Sequence, residues 1–224
     1  MKAKLSILHS FLISSMAMAA ILTIGFAAIA AGQATTEHRW TGNVGGGPTA
    51  LVGALSERLD NGWNFSVGGG YNFTSYFSGG IQFTYNGLGV SRGLLREAAV
   101  PDGNAHIWSI TAEPKIRFAP ERRFDPYVVG GVGFYRRVVQ FTRPTTQTVL
   151  LFDPFFGAFF NAVIPVNQVI GTIAHNGVGG NAGGGFDVGI GSQGLKLFVE
   201  ARYHYADTGR IKTRMVPVTF GVRW

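Results

Sequence analysis

From Trp40 to Trp224 apolar and polar positions alternate along the chain with a period of two, the mark of strands with one apolar and one polar face. The end of the chain shows it most plainly. Val216, Val218, Phe220, Val222 and Trp224 share one phase, while Pro217, Thr219, Gly221 and Arg223 share the other. Working forward, Trp40, Gly42 and Val44 oppose Arg39, Thr41 and Asn43. Trp63, Phe65, Val67, Gly69, Tyr71 and Phe73 then alternate with Asn64, Ser66, Gly68, Gly70 and Asn72. After a tight turn near Ser75, Phe77, Ile81, Phe83 and Tyr85 alternate with Ser78, Gln82, Thr84 and Asn86, which predicts a hairpin. The next run sets Trp108, Ile110, Ala112, Pro114, Ile116 and Phe118 against Ser109, Thr111, Glu113, Lys115 and Arg117; Pro114 forfeits a ladder donor and predicts a bulge or local break.

Residues 126–141 read as a strand whose faces the pattern leaves unassigned, because Gly and bulky residues fall in both phases. Ala182, Gly184, Phe186, Val188 and Ile190 then alternate with Gly183, Gly185, Asp187 and Gly189. A further strand sets Leu195, Leu197, Val199, Ala201, Tyr203 and Tyr205 against Lys196, Glu200, Arg202 and His204, with Phe198 as the exception. Links near Ser75, Glu121 and Gln193 are tight; Thr49 to Gly62, Ser91 to Ala105 and Arg143 to Gly177 are long, and Asp207 to Thr213 is intermediate. Tight and long links alternate as they do in an eight-stranded, antiparallel, up-and-down transmembrane β-barrel, all-β in class, with brief periplasmic turns and longer outside loops.

Composition sharpens this picture. Thirty-three glycines and 18 phenylalanines suit close-packed strands rather than long helices, and the absence of Cys removes disulfides and thiolate chemistry. Residues 1–34 read as a signal peptide: Lys2 and Lys4 begin it, a long apolar run follows, and small residues permit cleavage after Ala34 or Ala30, leaving 35–224 as the barrel domain. The formal charge of +7, less Lys2 and Lys4, leaves +5; the basic residues are spread over strand ends and loops, which argues against a nucleic-acid partner.

Alternation alone does not say whether the apolar face looks inward or outward. Trp40, Trp63, Tyr71, Tyr76, Tyr85, Trp108, Tyr205 and Trp224 sit at strand ends, as aromatic girdles at two membrane interfaces require. The polar face is built of small residues with interspersed charges, which suits a narrow lumen. An apolar face in lipid in turn demands a closed sheet, since open edges there are costly.

The mature chain resembles the OmpA-like family of small outer-membrane β-barrels. The resemblance rests on the runs Val67 to Phe73, Pro126 to Gly133 and Phe198 to His204, and on the aromatic ending. It implies residence in the bacterial outer membrane among lipid that includes lipopolysaccharide, a monomeric state, and a C-terminal assembly signal (Val216, Val218, Phe220, Val222, Trp224) read by the barrel-assembly machinery. The usual last residue in the family is Phe, so Trp224 is a departure.

Chemistry has three places to sit. The inward phase collects Glu113, Lys115, Arg117, Asp187, Lys196, Glu200, Arg202, His204 and Arg223, which must pair with one another in a narrow bore. A fixed polar plug is one reading; a narrow, porin-like ion channel gated by Glu200 or Glu113 changing partner among Arg117, Arg202 and Arg223 is the alternative. A lipid A acyl hydrolase or transferase is more distant, because His106, His175 and His204 have no convincingly spaced Ser partner and no Gly-x-Ser-x-Gly elbow is present. The expectation is therefore no enzyme, no cofactor and no metal. Last, residues 149–166 form an almost wholly apolar stretch in an outside loop, interrupted by Asp153, Pro154 and Pro165. It either extends the neighbouring strands, folds over the barrel mouth or adds a hairpin that raises the count to ten. Its Phe152, Phe155, Phe156, Phe159 and Phe160 are candidates for contact with a lipid, a neighbouring protein or a host surface. Arg58, Arg92, Arg96, Arg143, Arg210 and Lys212 lie in or beside the outside loops, either to meet lipid phosphates or as ordinary solvated charges.

Overall fold

The computed structural model describes residues 39–120, 122–190 and 194–224. The expected signal segment and both of its cleavage points lie outside the described residues, as do Glu121 and Gln193 in two of the expected turns. The strands β1 (Trp40–Leu51), β2 (Leu59–Asn72), β3 (Phe77–Val90), β4 (Asp102–Arg117), β5 (Phe124–Asp153), β6 (Ala158–Gly189), β7 (Lys196–Ala206) and β8 (Thr213–Arg223) form a closed barrel in chain order. Each strand pairs antiparallel with the next, and β8 returns to β1 from Asn43↔Arg223 to Leu51↔Met215. Trp224 extends this seam: its backbone N–H and C=O exchange hydrogen bonds of 3.0 Å with Gly42. The indole lies where a Cβ on Gly42 would be, 2.5 Å from that position, so this glycine makes room for the last side chain.

The orientation of the sheet follows the alternation. Lipid-facing Ile110 is 47% exposed, whereas Glu113 is 8% and Arg202 7%, so the polar phase is the enclosed one. The same holds in β8, where Thr219 and Arg223 are buried and Phe220 is exposed. In β5, whose faces the sequence left open, Asp125, Tyr127, Val129, Tyr135 and Arg137 point inward, and Phe124, Val128, Val132 and Phe134 outward. Phe198 breaks the pattern of β7 by facing the lumen, buried to 2%.

Aromatic contacts mark two belts on the outer wall. At the end with the short turns, Trp40, Tyr71, Phe73 and Phe77 form a row with centroids 5.2–5.6 Å apart. At the other end Trp63 and His106 flank Tyr85 at 5.6 Å each, and Trp108 meets Phe134 at 5.6 Å. Trp63 and Tyr71, in the two belts, are joined by β2. At ~3.3 Å per residue and a tilt of about 40°, their separation corresponds to roughly 20 Å along the axis, close to the apolar band of such barrels.

Pro114 does not produce a bulge. The β4–β5 ladder lacks pairs at Glu113 and Pro114 but resumes at Lys115↔Val129 in the same register as Ala112↔Val132, so the missing donor is a local interruption only. The expected long connections are also shorter than the sequence pattern suggested. A 3-10 turn (Gly53–Leu55) and a short helix α1 (Arg92–Glu97) occupy the first two, and strands absorb the rest. Ser91 organises this rim: its hydroxyl accepts from Leu94 N at 3.3 Å to cap α1 and donates to Glu57 O at 3.2 Å.

The largest difference concerns the expected loop at 143–177, which is strand. β4 leaves β5 at Asp102↔Thr142 and β7 leaves β6 at Gly179↔Ala206. Beyond these points β5 and β6 pair only with each other, without interruption from Thr142↔Val169 to Asp153↔Ala158. At ~3.3 Å per residue this two-stranded ribbon extends roughly 35 Å from the barrel lip. The register shift at Phe141/Thr142, which leaves Ile170 without a partner, places a bulge at its base. Of the three fates open to 149–166, it extends the neighbouring strands, and the barrel keeps eight. Phe and Val are the commonest residues of the stretch and favour extended backbone. Pro144 and Pro165 do not stop it, because each ribbon strand has an open edge on which a missing N–H is tolerated.

Placing Arg at lipid-facing Ala112, between the two belts, is expected to cost roughly 2–4 kcal/mol of folding free energy, against about 0–1 kcal/mol for Leu197→Arg near the interface. Urea titration of the barrel folded into phospholipid bilayers measures both.

Candidate functional site: the lumen and the outer ribbon

The lumen is divided into a charged lower half and an apolar upper cap. In the lower half Arg202, on β7, is the hub: its Nη1 donates to Glu113 on β4 and its Nε to Glu200 on its own strand. Glu113 Oε1 also accepts from Thr111 Oγ1 and, at 3.1 Å, from Asn181 Nδ2. Glu200 Oε2 accepts from Tyr127 Oη at 2.9 Å and lies 3.9 Å from Arg223 Nη2. Arg223 donates to Asp187, and its guanidinium stacks over Phe198 and Tyr127 at 4.6 and 4.9 Å. Lys115 Nζ sits 3.9 Å from Asp187 Oδ2 and 4.6 Å from the Tyr127 ring centre. Desolvated charges gain enough to remain ionised only when tied together in this way.

Glycines make space for these side chains. A Cβ on Gly131 would approach Glu113 Cγ to 2.8 Å, and one on Gly221 would meet the Phe198 ring at 2.7 Å. The paired glycines Gly69, Gly70, Gly79 and Gly80 leave a polar recess beside Gln82, Lys115 and Arg223, toward the end with the short turns.

Several expected members stand apart from the hub. Arg117 donates to Asn72 Oδ1 at 2.9 Å rather than to Glu113 or Glu200. Lys196 meets Asp125 at 3.8 Å at the mouth, with a quarter of its side chain exposed. His204 is fully buried and shares a hydrogen bond of 3.0 Å with Tyr135 Oη, which removes it from the role of a free base. His106 stacks on Tyr85 on the outer wall. His175 lies on β6 opposite Arg137.

Tyr127, Tyr135, Asp125, Asn181, Thr111 and Phe198 complete the lumen; of these the sequence pattern marks only Thr111, as inward, and Phe198, as the exception of its strand. In β5 glycines fall in both phases, and Asn181 lies just before the alternating run that begins at Ala182.

Above His204 the expectation of a polar plug fails. Leu51, Leu55, Leu59, Leu88, Val90, Ala105, Ile107, Tyr135, Ala206 and Met215 form one buried apolar cluster, with Leu94 and Leu95 of α1, Val139 and Ile211 packed against it. The 3-10 turn and α1 therefore fold over the bore. Arg137 is the charge embedded at this level, and it is spent on backbone carbonyls, donating to Ile211 O at 2.9 Å and Thr208 O at 3.3 Å. The signal was present: Leu88, Ile107 and Met215 share the phase of lumen residues but sit near the outer strand ends.

Outside the rim the basic loop residues Arg58, Arg92, Arg96, Arg143 and Arg210 are exposed. Lys212 pairs with Asp207 at 2.5 Å. That hydrogen bond, with a further one from Gly209 N–H, holds the Asp207 carboxyl below its ordinary value. At the ribbon tip Asp153 Oδ1 accepts from Phe155 N at 2.8 Å and Phe156 N at 3.4 Å, and Gly157 N–H closes the turn on Asp153 O at 2.9 Å. Gly157 has φ of +62°, a conformation glycine adopts without strain. Phe152 and Phe159 meet across the strands at 5.1 Å, while Phe155 and Phe156 are 95% and 85% exposed.

A closed ring of eight antiparallel strands with a lipid-facing apolar wall is matched by sequence as well: residues 19–223 fit the outer membrane protein beta-barrel domain. The chain belongs to that family. Among curated proteins none matches it by sequence. The fold is similar to that of Ail, the attachment invasion locus protein of Yersinia pestis, at 15% identity and a TM-score of 0.50, covering 83% of this chain and 99% of Ail. Neisserial surface protein A is 14% identical at a TM-score of 0.49, covering 82% of this chain and 94% of that one. A major outer membrane protein of Thermus thermophilus is 11% identical at 0.48, covering 84% and 99%. As a member of the outer-membrane β-barrel family, the protein resides in the outer membrane, with its short turns on the periplasmic side and its ribbon outside.

Arg202→Met leaves Glu113 in the bore without a cation and Glu200 with Arg223 alone, and is expected to cost roughly 3–5 kcal/mol. Adding Glu113→Gln to that variant restores part of the loss, because it removes the carboxylate left without a cation, whereas Glu200 keeps Arg223 at 3.9 Å. The urea midpoint of the refolded barrel in detergent micelles reads both effects.

Proposed function

We propose that this protein is a surface-interaction barrel: a rigid outer-membrane platform whose product is the position of the β5–β6 ribbon. The observation that carries this reading is the exposed apolar tip, Phe152, Phe155, Phe156, Phe159 and Phe160, at the end of a ribbon that leaves the barrel. Apolar patches of this kind on an otherwise satisfied surface mark contact sites. A two-stranded ribbon alone is marginally stable in water, so a covering surface adds what the missing third strand does not.

The lumen supports the same reading by being filled. Its carboxylates are met by Arg202, Arg223 and the lysines, Arg117 and Arg137 are held by Asn72 and by backbone carbonyls, and the apolar cluster beneath α1 and the 3-10 turn blocks the outer mouth. Conduction would require moving that cluster as well as re-pairing Glu200. The histidines His204 and His106 are engaged with Tyr135 and Tyr85 and supply no nucleophile–base pair for acyl transfer. Ail was crystallised with the heparin analogue sucrose octasulfate. The tip here, whose charge is Asp153, offers nothing to a sulfated ligand. The closing strand, Val216 to Trp224, serves as the assembly signal in this proposal.

Deleting Phe155 to Phe160 is expected to leave heat-modifiable folding intact while abolishing association of expressing cells with one another or with foreign surfaces. Unchanged association would overturn the reading. Planar-bilayer recordings on the purified wild-type barrel are expected to show no discrete conductance steps.

A further inference from the structure

The ribbon tip is apolar in every direction. Successive strand residues point to opposite faces, yet Leu150, Phe152, Phe159 and Val163 on one face and Leu151 and Phe160 on the other are all exposed. A protein groove would cover one face and leave the second in water, whereas hydrocarbon covers both. Between Pro144 and Ala174 the charged residue is Asp153, so the tip carries no cation for a phosphate and no pattern of charges for a protein partner to read. The turn is also prepared for a dry environment. Its N–H groups at Phe155, Phe156 and Gly157 are all spent on Asp153, and an unsatisfied donor is what hydrocarbon penalises most.

Resting on the surface-interaction reading above, we propose that the tip inserts into the bilayer of a second membrane apposed to the cell. Insertion is shallow. The outer edges of β5 and β6 in the ribbon have no third strand, and burying those edges would cost several kcal/mol per group, so the tip stops in the headgroup–acyl boundary, about 5–10 Å deep. At ~3.3 Å per residue that depth takes in the turn and about two residues of each strand, the span of Phe152 to Phe159. The membrane is a facing one because the ladder is unbroken from Thr142↔Val169 to the tip. Above the bulge at its base the unbroken pairing keeps the ribbon on the line of its strands, which carries the tip away from the hydrocarbon around its own barrel.

The chain has no Cys, so a single Phe156→Cys change carries an environment-sensitive fluorophore without background. With the barrel in nanodiscs, adding phosphatidylcholine vesicles is expected to shift the emission of this label to the blue and raise it several-fold, while a label at Thr146→Cys stays unchanged. Unlabelled wild type co-floats with the vesicles, and Phe155→Ser with Phe156→Ser weakens this by roughly tenfold or more per Phe. A blue-shifted label before vesicles are added means insertion into the surrounding leaflet and overturns the proposal. So does binding that needs anionic lipid and vanishes in salt, since it would belong to Arg58, Arg92 and Arg96. Absence of both shift and co-flotation overturns it too. In that case, cell association that is still lost on deleting Phe155 to Phe160 leaves the surface reading standing with a protein as its partner, and unaltered association removes both.

Discussion

Hydrocarbon offers no hydrogen bonds, and the rest of this structure follows from that. Every backbone N–H and C=O at membrane depth must find a partner in the sheet, so an apolar-faced sheet must close. Here the closing pair is β1 with β8, continued to the last residue, where Gly42 and Trp224 exchange hydrogen bonds and the glycine yields space to the indole. Closure removes all edges below the lip. Where the barrel stops and water begins, the constraint lapses, and β5 and β6 continue as a ribbon with open edges.

Closure also fixes what the inside contains. An eight-stranded ring is narrow enough for side chains to fill, so inward residues either satisfy one another or exclude water. This protein does both, at different heights. Arg202, Glu113, Glu200, Arg223 and Asp187 form a connected set in the periplasmic half, with Tyr127 and Phe198 as its aromatic walls. In the outer half Ile107, Met215, Leu88 and their neighbours form a core like that of a soluble domain, roofed by short segments of helix. The barrel is thus closed by polar pairing below and by apolar packing above, and a stiff tube of this kind is a suitable support for a projecting element.

The ribbon inverts the usual economy of outside loops. Instead of polar residues in irregular backbone, it offers regular strands with apolar side chains on both faces, held at the turn by Asp153. The open edges and the exposed phenylalanines are liabilities in water, which is why a function at a surface is the natural account of them.

The sequence by itself determined the class, the phase of nearly every strand and the outward direction of the apolar face, and it left eight strands or ten, which the tertiary structure settled as eight. Class, phase and direction depend on a period of two and on the residues at strand ends, which are local. It also named the charges that meet in the lumen, because Glu113, Glu200, Arg202 and Arg223 share an inward phase. The tertiary structure alone decided which of them touch. Partners across the bore belong to strands far apart in the chain, so Arg202 reaching Glu113, and Arg117 reaching Asn72 instead of a carboxylate, depend on register and stagger. It alone oriented β5, where glycines erased the phase. It also turned an expected loop into a ribbon and gathered Leu88, Ile107 and Met215 into a cap. Height along the barrel axis, which separates polar pairing from apolar packing, is a property of the closed sheet and of no single strand.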